Sequence, residues 1–186
     1  LEALKSRIGG ESDGGFTEGP APEARLSALR AELARRGLCG FIVPRTDAHL
    51  GEYVPPHDER LRWLTGFAGS AGLAIILRNE TAIFVDGRYT LQVQGEVNVA
   101  SIAPRHLIDQ PPGQWITDRL GSGDKLGYDP WLHSQKAVEG LRAAAQKAGG
   151  VLAPQRDNPL DAVWPDQPPP PLSPIVAHGL EYAGKS

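Results

Sequence analysis

Side chains able to do chemistry gather in three places. The first runs from Asp47 to Glu59 and holds Asp47, His49, Glu52, His57, Asp58 and Glu59. These are metal-ligating types, but no two histidines stand at i, i+4 with a glutamate between them, the spacing that would put ligands and base on one helix face. A polar loop whose Asp and His side chains satisfy nearby backbone groups is the simpler expectation. The second place is Gly66, Gly69, Ser70 and Gly72. Its spacing misses the nucleophile elbow, the P-loop and the dinucleotide fingerprint. Glycines adopting positive φ in a tight entry to the next strand are the simpler expectation. The third is Asp86-Gly87-Arg88-Tyr89, directly after an apolar strand, where open α/β sheets place ligand-contacting loops. Arg88 offers a planar fork of donors suited to a carboxylate or peptide carbonyl. An ion pair with Asp86 or another carboxylate is its structural alternative. Cys39 is the single cysteine, so a cysteine zinc site and an internal disulfide are both excluded.

The elements that must position these groups follow from apolar periodicity. Leu26, Leu29 and Leu33 recur at helical steps between Pro22 and the Gly37 stop, predicting a helix over 22–36. Cys39–Val43, closed by Pro44, reads as a strand buried on both faces. Leu73–Leu77 and Thr81–Val85 are joined by three polar residues and predict a hairpin, hence a mixed sheet. Asn98–Ile102 and Lys125–Tyr128 are further strand candidates. Pro111-Pro112 opens a helix carrying Trp115, Ile116 and Leu120. Ser134 caps another helix, with Val138, Leu141, Ala145 and Ala148 on one face and Gly149 at its end. Val151–Ala153 gives a last strand. Residues 88–94 fit two patterns: Tyr89, Leu91 and Val93 alternate as in a strand, while Tyr89 and Val93 also share a helix face.

The 186 residues suit one domain with tails. Residues 1–21 form a glycine-rich leader arm, with Leu1, Leu4 and Ile8 hinting at a helical turn. The domain spans 22–154. A proline-rich linker covers 155–174, with Pro168–Pro171 favouring an extended polyproline spacer. Residues 175–186 read as the start of a truncated second domain. The net charge of −3, from 19 Lys+Arg against 22 Asp+Glu with no basic block, argues against nucleic-acid and anionic-membrane partners. No apolar run approaches the roughly 20 residues of a membrane span. One cysteine and no signal peptide point to a cytoplasmic setting. Methionine is absent even at position 1, from which a processed or trimmed piece of a longer protein is expected.

Four stretches taken in order carry a resemblance: Asp47-Ala48-His49; Glu52-Tyr53-Val54-Pro55; Arg60 through Gly72; and Asp86-Gly87-Arg88-Tyr89. Together they resemble the N-terminal domain of Xaa-Pro aminopeptidase (aminopeptidase P), in the creatinase/prolidase or pita-bread metallopeptidase family. The tail from Val163-Trp164-Pro165-Asp166 to His178-Gly179-Leu180-Glu181-Tyr182-Ala183-Gly184 resembles the domain junction of the three-domain type. The resemblance implies an α/β fold with a mixed β-sheet flanked by helices, and makes residues 88–94 a helix. It implies removal of the N-terminal residue of peptides with proline at the second position, by two divalent ions, commonly manganese, in a catalytic domain outside this sequence. This domain would be non-catalytic, hold no metal, cap the cleft and contact the peptide through Arg88. It also places Tyr53 and Asp58–Arg60 near the cleft, with no role attached, and allows a homodimer. Two alternatives stay open: a stand-alone peptide-binding or assembly module, and the N-terminal domain of a prolidase- or creatinase-like hydrolase.

Overall fold

The computed structural model describes residues 20–174, 176, 177, 179–182 and 184. Six strands form one mixed sheet: β1 (Gly40–Pro44), β2 (Leu73–Leu77), β3 (Thr81–Val85), β4 (Ala103–His106), β5 (Lys125–Tyr128) and β6 (Val151–Pro154). Their spatial order is β4-β3-β2-β1-β5-β6. β2 pairs antiparallel with β1 and β3, whereas β3–β4, β1–β5 and β5–β6 are parallel. Five strands therefore point one way and only β2 runs against them. The hairpin predicted over 73–85 is present, with Leu73 opposite Phe84 and Ile76 opposite Thr81.

Helices cover both faces. α1 (Pro22–Arg35), α2 (Arg60–Thr65) and α3 (Thr90–Glu96) contribute to one apolar layer; α4 (Pro112–Thr117) and α5 (Gln135–Lys147) contribute to the other. Alternation along the strands decides which side chain enters which layer. In β1, Phe41 and Val43 join Leu26, Leu29 and Leu33 of α1, while Ile42 joins Trp115 and Leu141 on the far side. All five residues of β1 are buried, as a central strand covered on both faces requires. The predicted helices start as expected: proline occupies the first turn of α1 and α4, and Ser134 Oγ accepts a hydrogen bond from Ala137 N at 3.3 Å to cap α5. Arg30 on α1 ties that helix to the hairpin, donating to the Leu77 carbonyl and to Thr81 Oγ1, both at 2.9 Å.

Two expectations need correction, and one open pattern is decided. Asn98–Ile102 is a turn and not a strand. Asn98 captures the donors that a sheet would need: Ala100 N bonds its Oδ1 at 3.0 Å, and Ser101 N and Ile102 N bond its carbonyl at 3.0 and 2.9 Å. The strand begins only at Ala103 and contains Pro104, which is tolerated because β4 lies at the sheet edge. In 88–94 the helical pattern prevails, with Val93 buried and Leu91 facing solvent. Finally, the first part of the stretch expected as a linker, up to Trp164, packs on the body, while residues 169–174 are exposed and carry no regular structure. Leu160 and Trp164 are buried in the same layer as α1, and Trp164 stacks on Trp63 of α2 with ring centroids 5.0 Å apart and planes 17° from parallel. The proline-rich composition hid these two apolar anchors. The leader's Leu1, Leu4 and Ile8 lie outside the described residues, as does part of 175–186, where Leu180–Tyr182 forms a 3-10 turn.

Two stability tests follow from this packing. Trp164→Ala should lower the free energy of unfolding by about 3–5 kcal/mol, read as a lower urea midpoint, because it empties a buried indole site. At the far end of β5, His133 packs its ring edge against Tyr128, and burial pushes its imidazole below the ordinary histidine value, partly offset by Asp129. Below its ordinary value of about 6.5 the unfolded chain takes up a proton that the folded chain resists, so this contribution to stability declines as pH falls. The difference in midpoint between wild type and His133→Gln should shrink between about pH 7.5 and about pH 5.5.

Candidate functional site

Because β2 alone is reversed, the loops leaving β1, β3, β4, β5 and β6 emerge on the same edge as the loop entering β2. This edge brings the Gly66–Gly72 loop beside Asp86–Tyr89. α2 ends at Gly66, whose φ of +83° is the left-handed conformation that stops a helix. The chain then folds over the fully buried Phe67 ring. A Cβ on Gly69 would lie 2.2 Å from Phe67 Cζ, so this glycine serves close packing; it is not among the residues with positive φ. The same holds for Gly72, whose Cβ would lie 3.0 Å from the ring. Of the three glycines, then, only Gly66 uses the positive φ expected from the sequence. Ala68 N is anchored by Glu96 Oε2 of α3 at 2.8 Å.

Asp86 follows β3 and closes a turn in which Tyr89 N donates to its carbonyl at 3.0 Å. Its carboxylate accepts from Arg88 N at 2.9 Å, from Arg88 Nε at 3.0 Å and from Arg88 Nη2 at 2.8 Å. Hydrogen bonds from the Arg88 side chain, then from its backbone, hold the Asp86 carboxyl below the usual carboxylate range. The same pairing raises the Arg88 guanidinium above its ordinary value. Arg88 also lies over the Tyr89 ring, 5.1 Å from its centroid. Tyr89 in turn meets Phe67 edge-on at 5.7 Å, and its hydroxyl is 2.5 Å from Ser70 Oγ. That hydrogen bond lowers the phenol's proton affinity. Arg88 thus makes the Asp86 ion pair that the sequence allowed, while 67% of its side chain still faces solvent.

The Asp47–Glu59 cluster is dispersed into separate contacts. Asp47 Oδ1 accepts from His49 N and Gly51 N, both at 2.9 Å, which closes the loop after β1. Glu59 pairs with Arg45 at 3.1 Å, and burial still raises its proton affinity against the opposing pull of Arg45 and Arg62. Asp58 binds Arg60 Nη1 at 2.7 Å, and Arg60 holds Asp161 with Nε and Nη2 at 2.7 and 2.9 Å. His57 Nδ1 lies 2.6 Å from the Pro168 carbonyl, and Gln167 Nε2 donates to the His57 carbonyl and to Asp161. Tyr53 is almost wholly exposed. Among the described residues no three His, Cys, Asp or Glu side chains come together as a metal site. Cys39 is buried and burial pushes its thiol up to about 11, which suits packing and not nucleophilic attack. Sequence reasoning missed the Ser70–Tyr89 bond and the Arg60–Asp161 fork. The first joins two separately noted motifs, and the second spans about a hundred residues with no local signal.

Comparison with known proteins agrees with this fold. Residues 25–156 match the creatinase/prolidase N-terminal domain. The chain belongs to that family. It is 33% identical over 162 residues to human Xaa-Pro aminopeptidase 2, covering 87% of this chain and 24% of the relative. X-prolyl aminopeptidase from Caenorhabditis elegans, described as a cytosolic enzyme with a di-nuclear active site, superposes with a TM-score of 0.73 at 26% identity. That match covers 81% of this chain and 26% of the solved one. The solved N-terminal domain of the cytoplasmic peptidase PepQ from Mycobacterium tuberculosis shares the fold, with a TM-score of 0.56 at 21% identity over 75% of this chain and 98% of that one. The chain therefore spans about a quarter of the length of the curated relative it matches. Its creatinase/prolidase-type architecture, a six-stranded mixed sheet flanked by helices, is the one expected from the sequence. Among the described residues no helix is long and apolar enough to cross a membrane.

The packing of Phe67 yields its own test. Gly69→Ala should destabilise the domain by about 1–3 kcal/mol, because a buried ring must yield to the added methyl. Thermal unfolding of wild type and variant measures the loss.

Proposed function

We propose that this chain is the non-catalytic N-terminal domain of a metal-dependent Xaa-Pro aminopeptidase, a hydrolase acting on peptides with proline at the second position. Its partners in this reading are the peptide and a catalytic region of the same polypeptide, in a cytoplasmic enzyme that could pair with a second copy. The observation that carries the reading is the placement of Arg88: an exposed guanidinium held by a two-bond fork on the strand-end edge of a domain belonging to this family.

Two divalent ions, with manganese the expected metal, would serve that hydrolysis by lowering the pKa of a bound water. The donors present here do not fit such ions. Asp47 caps its own loop, Asp58 and Asp161 are taken by Arg60, Glu59 faces Arg45, and His57 is bonded to the tail. No step of the reaction is therefore assigned to a metal held by this chain. What the domain supplies is a wall of the cleft and a grip on the peptide. Arg88 would hold a peptide oxygen away from the reacting atoms, lowering the barrier by orientation. The domain boundary in this reading extends from the α1 start through the anchored Trp164, with the remaining tail leading toward the next domain.

One comparison tests the reading. The isolated chain, supplied with manganese, should not hydrolyse an Xaa-Pro peptide, whereas the full-length enzyme should. In that enzyme Arg88→Ala should lower kcat/KM about tenfold or more, as loss of a charged hydrogen bond does, without changing metal content. Turnover by the isolated chain would overturn the division of labour, and unchanged kinetics in the variant would remove Arg88 from the site.

A further inference from the structure

The fork between Asp86 and Arg88 determines which donors are left to a ligand. A guanidinium carries five N–H groups in one plane. Asp86 occupies the edge made by Nε and one side of Nη2, at 3.0 and 2.8 Å. The opposite edge, made by Nη1 and the second Nη2 hydrogen, makes no hydrogen bond among the described residues and stands at the exposed end of the side chain. That edge is not free to swing. Arg88 N is bound to the same carboxylate, the guanidinium rests over Tyr89, and Tyr89 is fixed by Ser70 at its hydroxyl and by Phe67 at its ring.

We propose that Asp86 and Tyr89 are positioning residues that make Arg88 an end-on donor to a neutral peptide carbonyl, in preference to a terminal carboxylate. This rests on the proposed peptide grip and specifies its ligand. Charge supplies the preference. Asp86 neutralises the guanidinium from one side, so a second carboxylate at the far edge gains little net attraction and is repelled by Asp86. A carbonyl oxygen meets no such repulsion and still receives hydrogen bonds from a polarised donor. The rigid support from Tyr89 and Ser70 spares the rotamer entropy that a free arginine would lose on binding. A domain built this way reads a backbone carbonyl and gains nothing from a free terminal carboxylate.

The experiment uses the full-length enzyme with an Xaa-Pro tripeptide supplied as the free acid and as the C-terminal amide. Wild type should process the amide at least as well as the free acid. Asp86→Asn keeps an oxygen acceptor but removes the charge, and should shift the ratio about threefold to fivefold toward the free acid, through KM with kcat unchanged. Asp86→Ala should shift it in the same direction. Tyr89→Phe and Ser70→Ala should each raise KM for both substrates alike, and the double variant should be no worse than either single one, because they break the same bond. A wild type that already favours the free acid, or an Asp86→Asn enzyme with an unchanged ratio, would overturn the inference. So would additive effects of the Tyr89 and Ser70 changes. If Arg88→Ala leaves both KM values unchanged, the peptide grip itself has failed. If Arg88→Ala costs activity while Asp86→Asn leaves the ratio alone, only the role given to Asp86 has failed.

Discussion

A single reversed strand organises this domain. With β2 running against its five companions, the chain can enter the sheet centre from the same edge by which β1 and β3 leave it. Phe67 can then be buried directly below that edge, and the glycine-rich loop passes over its ring because Gly69 and Gly72 carry no Cβ to oppose it. Had β2 been parallel, Ser70 and Tyr89 would emerge on opposite edges and could not meet. The geometry of this edge is thus a consequence of strand direction first and of local side-chain chemistry second.

Within that frame, positional order is transmitted outward in steps. The Phe67 ring is fully buried, the Tyr89 ring meets it edge-on at 5.7 Å, and the Arg88 guanidinium rests on Tyr89 at 5.1 Å. Each step is more exposed than the last, yet each inherits orientation from the one below it. Fixing a long, charged side chain at the surface ordinarily costs rotamer entropy with little return. Here folding meets that cost through the contacts with Asp86 and Tyr89.

The sequence disclosed most of the sheet and little of the tail, for identifiable reasons. Strands buried on both faces announce themselves as apolar runs, so β1, β2 and β3 were legible from composition and breakers alone. β4 was not, because an edge strand tolerates Pro104 and because Asn98 made the preceding residues look extended while its side chain was turning them. The family motifs located Arg88 and its ion-pair partner. They could not reveal that Ser70, 19 positions earlier, fixes the ring beneath it, since that contact exists only after the hairpin has formed. Likewise Arg60 and Asp161 are joined only by the finished fold.

The tail's attachment also alters how the domain would respond to force. From Asp161 to Pro168 the backbone is fastened by an ion-pair fork, a stacked pair of indoles and the His57 contact. Tension applied beyond Pro168 would load these contacts together before it could reach any strand. The segment should therefore act as a rivet, not a hinge, for any load applied past it.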